Sequence, residues 1–583
     1  MNAQTGAVIG SASAREQAAP SPGGRAWQAA AIQYSLAAMT AIVVIGPIIP
    51  ILYQAFLDRP IYDSGSSLTL ANFGRLFSHP EFGSVVVNSL VFAFWSTVIS
   101  QGLGAVVAIL IGRTNLPFSR VFGSVVLWPL FISGLVFAFG WFIAYGPSGY
   151  LTIYLRTLLG TEPWNLYSLF GMAIISGVSS IPITVLFCLS SSALADTSLE
   201  DAARTCGAGP LRILTAITLP MLMPAIAYSG ILNFLGALEA LSIPLLLGDP
   251  ADIKMFMTFI YSEGIERPQP DYGIVGTATV VLLGIVALLI LLQERWLGNT
   301  RRFVSVGGKA SVRRVFDLGR YRWLAFALLA AYATLGIIVP MGFVFLRAFV
   351  SFISPLVPIA QLFTLDHFKA AFGLPANVRA LWNTLLLSVI GGGLATLAYA
   401  LVAIVVHRSE FRYRGALKFV ALMPRAVPGM IAGLGVFYAM LVLPFSQYLA
   451  GTIWIIMIAY LSRYLPTGYG VISPALLQIG PDLDRAARVM GASWWTTCRT
   501  ILLRLLSPAM LAAYSLLFVA FLKEYSTAVF LFAPGTEVLG TAMLRYWANG
   551  DIGPMAALSA VQVVLTVAFL AIAQLAAGIK LVR

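Results

Sequence analysis

Two segments of the chain share one order of residue types, and their charged and small residues could bind a protein surface. The first segment, residues 199–226, begins LEDAARTCG, and the second, residues 483–510, begins LDRAARVMG. Each has an acidic residue before Ala-Ala-Arg and a glycine four residues after the second alanine. This order predicts a short helix, a turn and a second helix, in a loop outside the bilayer.

The residue types in these loops suit a helix followed by a turn. Ala-Ala-Arg favours helix, and the carboxylates of Asp201 and Asp484 would lie near the positive end of the helix dipole. Gly207 and Gly491 are expected to adopt the left-handed conformation that ends a helix. A single loop of this composition is more often a plain connector, but its recurrence at matching places favours a docking site.

The first loop resembles the cytoplasmic coupling loop of binding-protein-dependent ABC importer permeases. The pattern of that family is Glu-Ala-Ala, three residues, Gly, nine residues, and Ile-x-Leu-Pro. The resemblance implies that the loop docks on a cytosolic ATPase. In this chain Asp201 takes the place of the Glu, and another acidic residue comes just before it. The other matching positions are Ala202, Ala203, Gly207, Ile217, Leu219 and Pro220.

The second loop matches the family pattern less completely. Arg485 occupies the Glu position, with Asp484 one residue earlier, and Arg504 replaces the Pro. We therefore expect the two docking helices to present opposite charge to the ATPase. The matching positions are Ala486, Ala487, Gly491, Ile501 and Leu503.

The resemblance covers nearly the whole chain and implies its partners. It implies two copies of a cytosolic ABC ATPase that uses ATP and Mg, a periplasmic solute-binding protein, and no cofactor in this chain. Fused halves of this length look like the iron(III)-type permeases, which implies ferric iron as the solute. Polyamines, thiamine and phosphonates use similar permeases and stay open as alternatives, because much of the selectivity lies in the binding protein.

The composition independently predicts a membrane protein. Of 583 residues, 59% are hydrophobic and only 10% are charged, with a mean hydropathy of +0.88. Because a span needs about 20 apolar residues, the chain has room for roughly a dozen spans and for no soluble enzyme domain. It also lacks a Walker-type glycine loop and a dinucleotide-binding glycine motif. ATP hydrolysis is therefore expected in a separate subunit.

The apolar stretches divide the chain into two permease halves, residues 31–294 and 323–583. A flexible cytoplasmic tail, residues 1–30, precedes the first half, and a basic linker, residues 295–322, separates the two halves. We predict an all-α polytopic membrane protein with about twelve transmembrane helices. An even number of spans per half makes the halves parallel repeats. The predicted spans are 33–57, 84–112, 121–145, 167–192, 219–247 and 273–294, then 323–350, 380–407, 416–445, 451–472, 506–533 and 553–579.

Lys and Arg in the short loops predict the orientation, because such residues are retained on the cytoplasmic side. Arg113, Arg120 and Arg408, the linker and the chain end fall on one face, together with both Ala-Ala-Arg loops. This predicts a bacterial inner-membrane protein with both termini in the cytoplasm. The formal net charge of +13 is explained in this way and does not require nucleic acid as a partner.

A few polar residues in the predicted spans are candidates for a translocation path. An ionisable group at the bilayer centre costs about 2.5–3.5 kcal/mol, so Glu239 and Glu524 need a reason to be there. They either line the path or bond to neighbouring helices, with Lys523 neutralising Glu524. Asn88 and Asn383 are further path candidates, although amides more often bridge helices.

Other charged and metal-binding residue types give weaker signals. Arg425 and Arg463 are predicted to extend to a membrane interface. The three histidines and three cysteines are too scattered in sequence for a metal site or a disulfide framework.

Two other classes of protein were considered. A twelve-span secondary transporter could show the same repeat, but such carriers lack the paired loops. A membrane-embedded enzyme would need a paired carboxylate, a histidine cluster or a nucleophile motif, and the sequence has none.

Overall fold

The computed structural model describes residues 22–194, 198–297, 316–352, 358, 361–443 and 448–577. These residues form helices joined by short loops, and their extended pairing is limited to isolated bridges such as Leu57 with Leu68 and Val350 with Phe363. Helices pair most of their backbone groups within one segment, as a lipid environment demands. The predicted all-α polytopic fold is confirmed.

Most of the first half is helical. Its described α-helices are α1 (Pro22–Ile45), α2 (Ile48–Ala55), α3 (Ala71–Phe77), α4 (Phe82–Arg113), α5 (Ser119–Phe131), α6 (Gly134–Tyr145), α7 (Tyr150–Leu159), α8 (Leu169–Leu194), α9 (Ser198–Thr205), α10 (Pro210–Ile213), α11 (Leu219–Leu238), α12 (Phe256–Tyr261) and α13 (Tyr272–Leu297).

The second half repeats this order. Its described α-helices are α14 (Arg322–Ala333), α15 (Val339–Phe349), α16 (Asp366–Gly373), α17 (Pro375–Leu386), α18 (Gly392–Arg408), α19 (Arg414–Leu422), α20 (Gly429–Val442), α21 (Ile453–Arg463), α22 (Leu465–Gln478), α23 (Asp482–Val489), α24 (Trp494–Thr497), α25 (Leu503–Leu505), α26 (Ser507–Lys523), α27 (Leu539–Ala548) and α28 (Ile552–Ala577).

Among the described residues, eight helices are long and apolar enough to cross a membrane, or up to eleven if each bent pair is one span. The predicted span 451–472 corresponds to α21, a shorter apolar helix, and to α22 beyond it. The chain breaks between them at Tyr464, because Pro466 cannot donate the backbone hydrogen bond that would continue α21.

Two predicted spans are wrong at their ends. α11 ends at Leu238 and α26 ends at Lys523, whereas the apolar runs had suggested spans to residues 247 and 533. The next residues of the first half turn back into the protein, and Pro244–Gly248 form a fully buried π-helical turn. Hydropathy alone does not distinguish such a buried turn from a span. Glu239 and Glu524 therefore lie just beyond helix ends rather than within helices.

The N-terminal boundary also differs from the prediction. α1 begins at Pro22, so residues 22–30, assigned to the tail from sequence, belong to the first helix. Ala26, Ala29 and Ala30 favour helix in the later part of this segment. Residues 1–21, most of the linker (298–315) and the terminal Lys580 and Arg583 lie outside the described residues.

The first membrane helices are exchanged between the halves. α1 and α2 pack against α19, α20 and α21 of the second half, and α14 and α15 pack against α5 and α6 of the first half. The main hydrophobic core accordingly includes residues of both halves, such as Ile51, Phe139 and Tyr438. Each half is thus clasped by a helix of the other, and the chain is one packed unit.

Candidate functional site

The two repeated loops fold in the same way. α9 and α23 are short helices followed by Gly207 at φ 79° and Gly491 at φ 80°. In the first loop the Ala208 N–H donates to the Ala203 carbonyl at 3.0 Å, and in the second the Ala492 N–H donates to the Ala487 carbonyl at 3.0 Å. These hydrogen bonds close a helix through a left-handed residue. The predicted left-handed conformation of both glycines is confirmed.

A buried ion pair fixes the first loop to the membrane helices. The guanidinium of Arg113, at the end of α4, donates to the Glu200 carboxylate on α9, and both side chains are almost fully buried. The Thr218 hydroxyl, in the π-helical turn before α11, donates to the same carboxylate oxygen at 2.8 Å. Glu200 therefore joins α9 to the end of α4 and to the turn before α11.

The second loop carries the equivalent pair. Arg408, at the end of α18, contacts Asp484 on α23 at 3.3 Å, again with both side chains buried. Arg408 also donates to the backbone carbonyls of Leu476, at 3.0 Å, and Ile479 at the end of α22. Each loop is thus held at a corresponding position by one arginine and one carboxylate.

The family pattern had drawn attention to a different acidic residue of the first loop. It had placed Asp201 at the Glu position, but the carboxylate that corresponds to Asp484 in space is Glu200, one residue earlier. Asp201 is half-buried, and Arg485 at the same place in the second loop is exposed. The buried pairs therefore do not use the position at which the two loops differ in charge.

Small and apolar side chains complete the outer face of the two helices. Ala202 and Ala486 are exposed, Ala203 is half-buried, and Ala487 is buried within the chain. Ala487 is therefore unable to touch a partner without a rearrangement. The most exposed apolar side chains lie at the end of α23, where Val489 and Met490 are each 86% exposed. Sequence analysis missed these two, although their apolar character in a polar loop was a visible signal.

Substitution of the turn glycines tests the role of the loop geometry. A Cβ at Gly207 or Gly491 would meet no atom within 4 Å, so a Gly207→Val and Gly491→Val double variant is strained only in its backbone. We expect a cost of about 1–2 kcal/mol at each position and loss of coupled transport. Uptake by cells with equal amounts of inserted protein is the measurement.

Two neighbouring glycines provide matched controls for this experiment. Gly209 and Gly480 also have open space around a Cβ, but their φ angles are ordinary. Gly209→Ala and Gly480→Ala should leave uptake unchanged. Normal uptake by the double valine variant would contradict a role for the left-handed turns.

The loop after α4, the described start of the linker and the first repeated loop lie together. The start of the described linker pairs with the loop after α4: Asn115 donates to Asp317 at 2.6 Å, and Thr114 forms a β-bridge with Phe316. The guanidinium of Arg204, on α9, lies 4.9 Å from the centre of the Phe316 ring. Hydrogen bonds from the Gly319 N–H and from Asn115 lower the pKa of Asp317, which keeps it charged in this contact.

A second polar site lies where the two halves meet. The Glu239 carboxylate, which follows α11 in the first half, pairs with the Arg463 guanidinium of the second half at 2.8 Å. Arg463 also donates to the Val427 carbonyl at 2.5 Å. The prediction that Arg463 extends to a membrane interface is wrong, because the opposite half supplies a carboxylate within the protein. Nearby, the hydroxyls of Ser242 and Tyr525 form another link between the halves at 2.8 Å.

Glu524 lies in the same region but bonds within its own half. Its carboxylate accepts hydrogen bonds from the hydroxyls of Tyr464 and Ser526 and from the Thr527 N–H. The Lys523 ammonium instead donates to the Leu130 carbonyl of the first half at 2.5 Å. Lys523 and Glu524 therefore form no direct ion pair, and the partial neutralisation of Glu524 by the adjacent Lys523 stays a prediction. We call Glu239, Arg463, Lys523 and Glu524 the seam site.

The two asparagines bridge equivalent segments and lie apart from the seam site contacts. Asn88 donates to the Lys254 carbonyl at 3.2 Å, and Asn383 donates to the carbonyls of Gly535 and Glu537 at 3.0 and 2.9 Å. Each amide thus ties the second span of its half to the segment before α12 or α27. Their assignment to the translocation path stays a prediction.

The part of the chain that the structure describes contains no group of three or more His, Cys, Asp or Glu side chains that could hold a metal ion. The three cysteines are unpaired, with Cys188 and Cys498 buried and Cys206 exposed.

Two fused halves that pack against each other, with one repeated loop each, are the architecture of a two-fold repeated membrane component of a transport system. The chain belongs to the family described as binding-protein-dependent transport system inner membrane component, whose model matches residues 102–302 and 399–578. One match falls in each half and contains its repeated loop. The chain is therefore a multi-pass membrane permease of this family.

Similar proteins have been characterised to different degrees. The ferric transport system permease protein FbpB of Actinobacillus pleuropneumoniae is 27% identical over 536 residues, which cover 90% of this chain and 75% of that protein. The putative 2-aminoethylphosphonate transport system permease protein PhnV of Salmonella paratyphi A is 32% identical over 212 residues, 35% of this chain and 76% of that protein. A crystal structure of a bacterial ABC transporter involved in alginate import aligns with 44% of this chain and 96% of that chain, with 20% identity and a TM-score of 0.36.

Proposed function

We propose that this chain supplies both halves of the membrane permease of an ATP-driven importer in the bacterial inner membrane. It moves a small solute from the periplasm to the cytoplasm by alternating access. The observation that carries the proposal is the pair of equivalent loops, each fixed to the membrane helices by a buried arginine–carboxylate pair. Movement of either loop would be transmitted directly to α4 or α18, because the ion pair couples them.

The partners follow from this role. Two copies of a cytosolic ABC ATPase bind one loop each, and ATP and Mg bind to those subunits. A periplasmic solute-binding protein delivers the solute to the opposite face. The contact of the basic loop after α4 with the linker and with the first repeated loop supports a cytoplasmic location for that face, and hence for both termini.

Ferric iron is the solute we propose, since the FbpB relative with this name resembles the chain over most of its length. A small organic solute such as a phosphonate is the second candidate, favoured by the resemblance to PhnV over a shorter region. Uptake of radioactive ferric iron and of 2-aminoethylphosphonate by cells that express the permease with its ATPase and binding protein distinguishes the two. ATP-independent uptake, or uptake of neither solute, would count against the proposal.

The mass of the assembled complex tests the proposed stoichiometry. One chain should bind two ATPase protomers, because each half supplies one loop. Native mass spectrometry of the purified complex gives this ratio directly. A complex with two copies of this chain for each ATPase pair would contradict the proposal.

The outer faces of α9 and α23 should bind the ATPase mainly through apolar contact. An exposed ion pair contributes about 0–1 kcal/mol, whereas a steric clash in a packed interface costs about 1–3 kcal/mol. Ala202→Trp and Ala486→Trp, at exposed positions, should therefore weaken ATPase binding more than Asp201→Asn or Arg485→Gln. Pull-down of the ATPase with each variant measures the effect. Greater loss from the charge changes would indicate an electrostatic interface.

A further inference from the structure

An apolar groove with a volume of about 680 Å³ lies where α5 of the first half meets α15 and α28 of the second half. We propose that the groove binds one acyl chain of a membrane phospholipid, which stays with the protein as a bound lipid. Side chains of all three helices line the groove, among them Trp128, Phe131, Met341, Phe345, Val567 and Ala571.

The groove lies within segments that are long and apolar enough to cross a membrane. α28 belongs to the segment Ile552–Leu575, α15 belongs to Gly319–Phe349, and α5 is the first arm of a bent helix pair. On α28 the lining residues extend from Val563 to Gln574, which is about 17 Å of helix. That length is about half of a hydrocarbon core ~30 Å thick. The groove therefore has the depth of one leaflet of the bilayer.

The lining offers contacts to hydrocarbon rather than to a charged solute. None of the described residues that line the groove carries a charge. Among its few polar side chains, Thr566 is already engaged, because its hydroxyl donates to the Gln562 carbonyl at 2.9 Å. A ferric ion or an anion would lose its hydration in the groove without gaining a partner. An acyl chain is instead stabilised in proportion to the apolar area that it buries.

Exposed side chains line the groove, so a lipid can enter it sideways from the bilayer. Val564 and Val567 on α28 are 53% and 59% exposed, and Trp128 on α5 is 44% exposed. Ala568 and Ala571 are also exposed, and their small side chains leave space between the larger ones. A chain in this place would contact apolar side chains of both halves.

A helix of another protein fits the groove less well than an acyl chain does. A helix about 10 Å across and about 17 Å long fills about 1,300 Å³. This is about twice the volume of the groove. A hydrocarbon chain is narrower and flexible, so it can follow a groove between helices.

The equivalent junction on the other side of the molecule is packed by the protein itself. Met423–Ala426 correspond to residues 128–131 of α5 in the repeat, and they pack against α13, the equivalent of α28. Trp128 and Phe131 instead line the groove together with residues of α28. The acyl chain thus takes the place of a contact between protein segments, and it should stabilise the junction between the halves.

Fluorescence quenching by a brominated phospholipid tests the inference. Because Trp128 lines the groove, its fluorescence should be quenched when the delipidated chain in detergent receives a single equivalent of a phospholipid with brominated acyl chains. Trp128→Phe should remove the quenched component. Trp95→Phe is the matched control, because Trp95 on α4 is 42% exposed and lies outside the groove. This control should leave the quenching unchanged.

Filling the groove tests the same site without a change of tryptophan. An Ala568→Phe and Ala571→Phe double variant should weaken binding of the brominated lipid at least about tenfold, because its rings displace about two or more methylene groups of the chain. Both alanines are exposed, so the variant should insert normally. Its delipidated form should unfold at a higher temperature than the delipidated wild type. Ala287→Phe, at an exposed position of α13, is the control and should match the wild type.

Four results would each overturn the inference. The first is equal loss of quenching in Trp128→Phe and Trp95→Phe, and the second is quenching that appears only at a large excess of lipid. The third is equal lipid affinity of the double variant and the wild type. The fourth is quenching by a brominated detergent at the same concentration as by the phospholipid, which would indicate nonspecific filling.

A second copy of this chain is the remaining occupant to test. Efficient disulfide formation between two Val567→Cys chains in the membrane, through that residue, would place a second copy on the groove and would overturn the inference as well. ATP-driven uptake is a separate measurement. The importer proposal depends on uptake, and lipid binding in the groove depends on neither the solute nor the ATPase.

Discussion

Replacing Arg113 or Glu200 with alanine is expected to destabilise the protein by about 3–5 kcal/mol, because either change leaves a buried charge without its partner. The side chains of this pair are only 4% and 2% exposed. Arg408→Ala or Asp484→Ala should have a similar effect, since that pair is also buried. Denaturant unfolding of the detergent-purified variants measures the loss.

An exposed ion pair on α23, the helix that carries Asp484, serves as the control. Asp482 and Arg485 on α23 lie 3.5 Å apart, and their side chains are 88% and 76% exposed. Arg485→Ala should therefore change stability by at most about 1 kcal/mol. An Arg113→Met and Glu200→Leu double variant should be more stable than either alanine variant, because it buries no charge. Alanine variants as stable as the control would contradict a structural role for the buried pairs.

The double variant also separates stability from coupling. It restores the packing between α4 and α9 but removes the directional contact that joins them. If the ion pair transmits movement, the variant should insert and bind ATPase normally while uptake falls. Normal uptake would mean that packing alone is sufficient for coupling.

Local signals allowed the loop structure to be predicted from sequence. Helix propensity, acidic residues in the first turn and a glycine at the end act over a few residues, so α9, α23 and the turns at Gly207 and Gly491 were foreseeable. Arg113 and Arg408 were also visible as basic residues at matching loop positions. Their partners were not, because a pairing between residues 87 positions apart depends on how the helices pack.

The seam site was only partly predictable for the same reason. Glu239 and Glu524 were conspicuous as charges in apolar sequence, but their hydrogen bonds depend on where α11 and α26 end. Arg463 has Ser179 at the matching place of the first half, so the repeat gave no sign of its role. Contacts that differ between the two halves can be found only in the folded molecule.

Valine at Gly140 and Gly435 is expected to disrupt the packing of the exchanged helices against the opposite half. A Cβ at Gly140 on α6 would lie 2.7 Å from the Pro340 carbonyl oxygen, and one at Gly435 on α20 would lie 2.4 Å from the Pro47 carbonyl oxygen. These are the equivalent contacts of the two exchanged helices. A backbone carbonyl cannot rotate away as a flexible side chain can, so the helices must separate. We expect a cost of about 1–3 kcal/mol at each position, and more in the double variant.

Matched controls lie in other membrane helices of the chain. A Cβ at Gly284 on α13 or Gly342 on α15 would meet no atom within 4 Å, so valine there adds volume without a clash. Thermal unfolding and protease digestion of the purified variants should reveal a lower unfolding temperature and faster cleavage for Gly140→Val and Gly435→Val than for these controls. If the four variants behave alike, the exchanged helices contribute little to holding the halves together. The ion pair between Glu239 and Arg463 would then have to hold the halves together without them. If only Gly140→Val and Gly435→Val lower the unfolding temperature and speed cleavage, close backbone packing is what brings the two halves of the seam site within reach of each other.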